Sequence, residues 1–192
     1  MGTGEKEEKT GERTAKNMVK EVLSMALYIA VVLCITFLVV RYVGQRTQVD
    51  GHSMENTLFD GDNLIVDKIS YRFTDPKRFD IIVFPYHYKE DTYYIKRIIG
   101  LPGETVQIRD GEIYIDGAIL EEDYGKETML TSGRAADQIQ LGEDEYFVLG
   151  DNRNHSEDSR FDDVGNIERS EIIGRAFIRI WPFERFGLLK HQ

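Results

Sequence analysis

The hydrophobic positions of this chain form one long uninterrupted run near the N-terminus, followed by many short runs separated by polar residues. The long run occupies residues 22–40, VLSMALYIAVVLCITFLVV, and contains no charged residue. A helix of this length spans about 28 Å, close to the ~30 Å hydrocarbon core of a bilayer. A helix buried in a soluble domain usually keeps a polar face, and this run has none. The pattern therefore predicts a transmembrane helix, which we place at residues 21–43.

Basic residues are distributed unequally around this helix. Two follow it closely and five precede it: Arg41 and Arg46, against Lys6, Lys9, Arg13, Lys16 and Lys20. An excess on the N-terminal side predicts a cytoplasmic N-terminus and an extracytoplasmic main domain. The run is longer than the ~7–15-residue core of a signal peptide and no A-x-A-like site follows it, so we expect an uncleaved anchor. Residues 1–20 are polar and aperiodic, which predicts a disordered cytoplasmic tail.

Beyond residue 48 the apolar residues occur in short β-branched and aromatic runs bounded by Gly, Asp and Pro, as is typical of strands. Strands are predicted at residues 63–68, 80–86, 92–99, 105–109, 112–116, 145–149 and 172–181. Asp110-Gly111 lies between two of them and is a signal for a two-residue hairpin. Residues 118–142 are more polar and irregular, so we expect a smaller cap-like subregion at 106–143. The prediction is a mostly β, antiparallel barrel or sandwich at 44–192.

The charge and cysteine content narrow the function classes. The formal net charge is −10, which argues against a nucleic-acid-binding protein because such proteins carry a basic face. The single cysteine, Cys34, lies inside the apolar run. An intramolecular disulfide and a Cys-based zinc site are therefore excluded.

Ser53, in the segment GHSMENTL at residues 51–58, is a candidate nucleophile. A serine hydroxyl is a weak nucleophile until a base accepts its proton. Histidine is the usual base, but His52 is adjacent to Ser53 and would point to the opposite face of an extended segment. The other histidines occur in polar loops or next to the C-terminus: His87, His155 and His191. A Ser-His-Asp site is a weak alternative that the sequence leaves open.

A lysine can act as the base when burial among apolar groups lowers its pKa from the ordinary ~10.4. Lys96 lies in the apolar strand YYIKRII, whereas Lys68 follows Asp67 and is predicted to face solvent. Strand alternation turns one of Lys96 and Arg97 inward. The pattern by itself does not decide which, and an exposed Lys96 is the more ordinary outcome.

Four segments, in this order after one membrane anchor, resemble the type I signal peptidases, in the short single-anchor form of Gram-positive bacteria. They are GHSMENTL, GDNLIVDK, YYIKRIIGLPGE and GDNRNHSEDSR, and they cover residues 51–160. The later segment DVGNIERSEIIGRAFIRIWP is similar to the closing strands of that family. Four ordered motifs make a specific match, which Ser-x-x-Thr alone would not.

The resemblance implies a Ser-Lys dyad, with Ser53 as the nucleophile and Lys96 as the general base. It also implies that Ser156 hydrogen-bonds the lysine and orients it. A neutral buried amine needs its lone pair aimed, and a hydroxyl does this without adding charge.

Three charged residues have supporting roles by the same resemblance. Asp158 and Arg160 would form a structural ion pair that holds their loop near the site, and Asp151 would belong to the same network. A calcium loop is the alternative for residues 151–163, but Arg153 occupies a position where that pattern needs an oxygen ligand.

For the oxyanion, the family uses the backbone N–H of the serine and a group two residues earlier. That residue is Gly51 here, so its donor must be the backbone N–H.

One departure from the family is Asn56, which stands where a proline is usual. Asn tolerates turn conformations, so we expect an active site with a less rigid turn.

The resemblance implies that the substrates are signal peptides of exported preproteins, cut after small residues in an A-x-A pattern. Met54, Leu58, Tyr94 and Ile95 are candidates for the walls of the small binding pockets, with ordinary core packing as the alternative. We expect lipid contact through the anchor, proximity to the export channel, and no metal or cofactor. The short linker at 42–49 would keep Ser53 near the membrane surface, where tethered substrates are concentrated.

Two other functions are compatible with parts of the sequence. The self-cleaving repressors also use Ser and Lys, but they are soluble and carry a DNA-binding domain that is not evident here. A non-catalytic, membrane-tethered β domain that binds a partner or a wall component remains the main alternative, and it would not depend on Ser53.

Overall fold

The computed structural model describes residues 4–42 and 44–189. The chain divides into two compact units, Met1–Val43 and Gly44–Gln192. The first contains a single helix and the second contains all the strands.

The helix α1 spans Gly4–Tyr42. Its segment Asn17–Leu38 has a mean hydropathy of 2.3 and none of it is buried, so it is long and apolar enough to cross a membrane. The helix begins well before the predicted boundary at residue 21 and includes residues 4–20, where the sequence predicts a disordered tail. The difference has a physical reason, because this stretch is rich in Glu and Lys, which propagate a helix readily once the apolar segment has nucleated it.

The second unit is built from twelve strands and five short 3₁₀ helices among its described residues. The strands are β1 Gly44–Gln48, β2 Asn63–Asp67, β3 Ile81–Pro85, β4 Tyr93–Gly100, β5 Thr105–Arg109, β6 Glu112–Ile115, β7 Ala118–Ile119, β8 Ile139–Gln140, β9 Glu145–Leu149, β10 Ile167–Glu168, β11 Gly174–Trp181 and β12 Gly187–Leu188. The 3₁₀ helices are Ser70–Arg72, Gly133–Ala136, Arg153–His155, Arg169–Glu171 and Phe183–Arg185. The mostly β prediction is confirmed.

Eight strands form one antiparallel sheet in the order β1-β2-β11-β3-β4-β9-β10, with β12 beside β11. The strand β1 was not predicted, because its sequence GQRTQ is polar and residues 42–49 were interpreted as a linker. It forms because all five of its residues pair with β2, from Gly44 opposite Asp67 to Gln48 opposite Asn63. Backbone pairing, rather than side-chain burial, therefore orders this segment.

The second sheet is small, with the order β7-β6-β5-β8. It lies within the region predicted to be a cap-like subregion. Asp110 and Gly111 join β5 to β6 with φ angles of 53° and 82°. Both angles are positive, as the predicted two-residue hairpin requires, and Arg109 pairs with Glu112 across the turn.

The two sheets share a hydrophobic core. One cluster of buried side chains combines Ile99, Phe147 and Leu149 from the large sheet with Val106 and Ile108 from the small one. A separate cluster under the Ser53 loop contains Val49, Met54, Leu58, Leu64, Ile81, Ala176 and Leu189. The loop that carries Ser53 is thereby anchored to the large sheet by its own apolar side chains.

A glycine at the start of β11 permits a close approach between strands. A Cβ added at Gly174 would lie 2.4 Å from the carbonyl oxygen of Asp67, a backbone atom that cannot move aside freely. We expect Gly174→Ala to lower the free energy of unfolding by about 1–3 kcal/mol because of this overpacking. Chemical denaturation of the full chain in detergent, followed by the fluorescence of its single tryptophan, Trp181, measures the change.

Gly187→Ala is the matched control, since a Cβ at Gly187 meets no atom within 4 Å. Its stability should stay within about 0.5 kcal/mol of the wild type. Equal stability of the two variants would contradict the proposed clash.

Candidate active site

Ser53 and Lys96 meet at one end of the large sheet. Ser53 lies in the loop between β1 and β2, and Lys96 lies in β4, opposite Ile82 of β3. Nζ of Lys96 is 2.7 Å from Oγ of Ser53. The side chain of Lys96 is almost completely buried, with 3% of the residue exposed. A hydroxyl and an amine at this distance can exchange a proton directly.

Burial lowers the pKa of Lys96 from 10.5 to about 8. The cause is desolvation, because an ammonium group that is removed from water is disfavoured relative to the neutral amine. The negative charges of Asp158, Glu157 and Asp151 act in the opposite direction and raise it. Desolvation is the larger effect, so a useful fraction of Lys96 is neutral slightly above neutral pH.

The backbone N–H of Ser53 is an available donor. No hydrogen bond within the described residues uses the N–H of Ser53. The N–H of Gly51, the second donor expected from the sequence, donates to Oδ1 of Asp60 at 2.9 Å. Gly51 has a φ of 97°, which favours glycine at this turn. The peptide bond between Glu55 and Asn56, where the family usually has proline, is cis.

The loop after β9 is organised by a buried ion pair. Nε and Nη2 of Arg160 lie 2.8 and 2.9 Å from the two carboxylate oxygens of Asp158, and neither side chain is exposed. Asp158 also accepts the N–H of Gly150 at 3.0 Å. Arg160 donates further to the carbonyl oxygens of Arg153 and Thr131. The pair therefore connects several parts of this loop from inside.

A second buried ion pair connects this loop to β4. Nε and Nη2 of Arg97 lie 2.8 and 2.7 Å from the carboxylate oxygens of Asp151, and both side chains are fully buried. The hydroxyl of Thr57 donates to the same carboxylate, which links the Ser53 loop to the pair. The guanidinium carbon of Arg97 lies 3.5 Å from the ring centroid of Tyr124. Both Lys96 and Arg97 are thus buried, on opposite faces of β4.

Ser156 lies beside the dyad but does not make the expected hydrogen bond. Its Oγ is buried and has no partner among the described residues. A Cβ added at Gly150 would lie 2.2 Å from this Oγ and 2.5 Å from the carbonyl oxygen of Ser53. The absence of a side chain at Gly150 therefore lets Ser156 approach the backbone of Ser53, where the Ser156 hydroxyl has no hydrogen-bond partner among the described residues.

A cleft of about 710 Å³ opens above the dyad. It is bounded by the end of β1 with the loop after it, by the first half of β4, and by residues of the loop after β9. Tyr94 and Ile95 line it. Met54 and Leu58 do not: they are buried in the core cluster, 1% and 0% exposed. The N–H of Leu58 bonds the carbonyl of Met54, so this turn directs both side chains inward together.

The histidine alternative has no geometric support among the described residues. Nδ1 of His52 lies 2.8 Å from Oε1 of Glu55, and the ring is largely exposed. His87 pairs with Glu171 on the surface. His155 is exposed, and His191 lies outside the described residues.

The sequence model of a family described as signal peptidase, peptidase S26 matches residues 21–181. The chain belongs to this family. A signal peptidase I of Leptolyngbya laminosa is 43% identical over 162 residues, which cover 77% of this chain and 74% of that protein. A signal peptidase I of Bacillus amyloliquefaciens is 36% identical over 189 residues, which cover 93% and 97%. A signal peptidase I crystal structure from Enterococcus faecalis V583 is 37% identical and covers 53% of this chain and 97% of its own, with a TM-score of 0.45.

Membership of the signal peptidase family makes this chain a serine endopeptidase that removes signal peptides from preproteins. The family is membrane-anchored, which agrees with the single apolar helix α1. The non-catalytic alternative is therefore not retained.

Three residues of the site had no role assigned from the sequence: Arg97, Thr57 and Asn152. Asn152 lies in the quoted motif GDNR, and Thr57 lies in GHSMENTL, so the motifs contained both. Arg97 was considered only as the neighbour that alternation would turn away from Lys96. Arg97 is buried because the segment between β7 and β8 covers the second face of β4. The sequence around Arg97 does not show that this distant segment packs there.

Substitutions in the Arg97–Asp151 pair test how much this ion pair contributes to the stability of the domain. Asp151→Ala leaves a buried guanidinium without its carboxylate, so we expect a loss of roughly 3–5 kcal/mol in the free energy of unfolding. The double variant Arg97→Met/Asp151→Leu removes both charges and should recover much of this loss. Denaturant unfolding in detergent gives both values, and a loss under about 1 kcal/mol for the single variant would refute the coupling.

Proposed function

We propose that this chain cleaves signal peptides through a Ser-Lys dyad, with Ser53 as the nucleophile and Lys96 as the general base. The observation that carries the proposal is the 2.7 Å contact between their side chains at a lysine that is 3% exposed. Proximity aligns the proton transfer, and desolvation supplies a neutral amine to accept it.

The reaction follows from this geometry. The neutral amine of Lys96 takes the hydroxyl proton as Oγ of Ser53 attacks the scissile carbonyl carbon. The resulting oxyanion accepts a hydrogen bond from the N–H of Ser53, and the lysine ammonium then protonates the departing amine of the mature protein. Lys96, neutral again, deprotonates a water that attacks the acyl ester. The bond to Oγ then breaks, the lysine ammonium returns its proton to Oγ of Ser53, and the signal peptide leaves as a carboxylic acid that ionises in water.

The supporting residues have roles consistent with their contacts. Asp158–Arg160 and Asp151–Arg97 hold the loop after β9 against β4 and the Ser53 loop. Ser156 would orient the amine of Lys96, since its hydroxyl lines the same cleft and is unpaired. Gly51 would supply a second oxyanion donor only after its N–H leaves Asp60, so the N–H of Ser53 is the main donor here.

The substrate would bind as an extended strand along β4. Residues 93–96 of this strand pair with β3 on one side, and the pairing with β9 on the other side begins only at Arg97. The free edge faces the cleft and can pair with a peptide backbone, while alternate side chains point at the wall. Tyr94, Ile95 and Val83 line the cleft as bulky side chains, which favours small residues one and three places before the cut.

The membrane arrangement follows from the distribution of basic residues around α1. We propose a cytoplasmic N-terminus and an extracytoplasmic domain at 44–192, with lipid contact through α1. The enzyme would act close to the export channel, because its substrates emerge there still anchored by their own hydrophobic segments.

Loss of either dyad residue tests the function. Ser53→Ala and Lys96→Ala should each lower turnover of a precursor with an A-x-A site on the order of 10⁴-fold or more, because neither group works alone. Cleavage is measured by gel in detergent or lipid vesicles. Lys68→Ala and Ser170→Ala are matched controls, since neither residue lines the cleft, and both should cleave normally. Near-normal turnover by Ser53→Ala or Lys96→Ala would show that the dyad is wrongly assigned.

The rate should depend on pH through Lys96. Its pKa is lowered to about 8, and the base must be neutral, so kcat/KM should rise through pH 8 and level off above it. Below about pH 7 the rate should fall by roughly tenfold per pH unit as the ammonium form accumulates. A pH titration of kcat/KM with a peptide substrate measures this limb. A rate that stays constant down to pH 6 would contradict a lysine base.

A further inference from the structure

Asn152 makes two contacts to the loop that carries the nucleophile. Its backbone N–H donates to the carbonyl oxygen of Ser53, and its side-chain Nδ2 donates to the carbonyl oxygen of His52, both at 3.0 Å. The residue is 3% exposed. One residue of the loop after β9 thus bonds two successive carbonyl groups at the reactive serine.

The contact to His52 has a consequence for the adjacent N–H. The carbonyl of His52 and the N–H of Ser53 belong to one planar peptide unit, so in the trans form they point in opposite directions. A donor that holds the carbonyl oxygen therefore also sets the direction of the N–H. That N–H makes no hydrogen bond to any described residue, so it is free to donate to an oxygen of a ligand.

We propose that Asn152 is a positioning residue that orients the peptide unit between His52 and Ser53, so that the N–H of Ser53 points at the developing oxyanion. This rests on the proposed role of Ser53 as the nucleophile. Asn152 touches neither the substrate nor the dyad side chains. It acts by fixing a donor before the reaction begins, which is the condition under which such donors stabilise a transition state.

A purely structural role does not account for this side chain. Its Oδ1 is buried and has no partner among the residues described, which costs stability rather than adding to it. The carbonyl of His52 also accepts the N–H of Glu55 at 3.2 Å, so it would keep a donor if the carboxamide were removed. An apolar residue of similar shape at 152 should therefore be tolerated by the fold.

The test compares Asn152→Leu with Asn166→Leu in the full chain in detergent. Asn166 also uses its carboxamide in two hydrogen bonds, to Arg134 and Glu145, and it does not line the cleft. We expect Asn152→Leu to lower kcat by roughly 10- to 100-fold, less than outright removal of an oxyanion donor. Its KM, its thermal midpoint and the pH midpoint of kcat/KM should stay unchanged. Asn166→Leu should keep kcat and lose thermal stability.

Asn152→Ala is the second variant. It keeps the backbone hydrogen bond to Ser53, and its small side chain cannot clash with the surrounding residues. The proposal is overturned if both folded variants keep kcat within about twofold, since loss of a preorganised donor costs far more. It is also overturned if the fall in their kcat only matches the fall in the fraction of folded protein, or if the pH midpoint of kcat/KM shifts together with kcat. Ser53→Ala is run alongside: turnover there would refute the nucleophile, whereas an inactive Ser53→Ala with fully active Asn152 variants would refute only the positioning role.

Discussion

Removal of the Lys96 side chain from water is the condition on which the proposed Ser53–Lys96 dyad depends. In solvent the amine would be almost entirely protonated at neutral pH and unable to accept a proton from Ser53. At 3% exposure its pKa falls to about 8, although three nearby carboxylates favour the charged form. The geometry of the dyad has chemical meaning only because the surrounding strands and loops exclude water from it.

The two buried ion pairs serve this condition. Asp151 and Asp158 would each stabilise the ammonium form of Lys96 strongly if they stood alone in a low-dielectric interior. Each is instead paired with an arginine, Arg97 or Arg160, through two hydrogen bonds. The pairs hold the loop after β9 in one geometry and present little net charge to the lysine. The loop after β9 is thereby held rigidly, while desolvation can still lower the pKa of Lys96.

The sequence predicted the mostly β fold class correctly, and its expectations departed from the structure where tertiary contacts decide. Alternating apolar residues and turn signals located the main strands. The ordered motifs named Ser53 and Lys96 as the dyad, and the structure places their side chains 2.7 Å apart. The strand β1 could not be predicted because it is held by backbone pairing with β2, and its polar sequence shows no strand pattern. Motif position shows that Met54 and Leu58 are close to Ser53 in the chain, but it does not show which way their side chains point. Both side chains are buried in the core instead of lining the cleft. The hydrogen bond expected for Ser156 depends on a rotamer, which no pattern encodes.

The segment between β7 and β8 explains why two consecutive residues of β4 are both buried. It covers the second face of the strand: Tyr124 stacks on Arg97, and the N–H of Lys126 donates to the carbonyl of Asp151. Asp151 balances the charge of Arg97 there through two hydrogen bonds to its guanidinium group. Lys96 forms no ion pair with any described carboxylate, and its intrinsic pKa is within reach of desolvation. Arg97 thus supports the loop after β9 from one face of β4, while Lys96 contacts Ser53 from the opposite face.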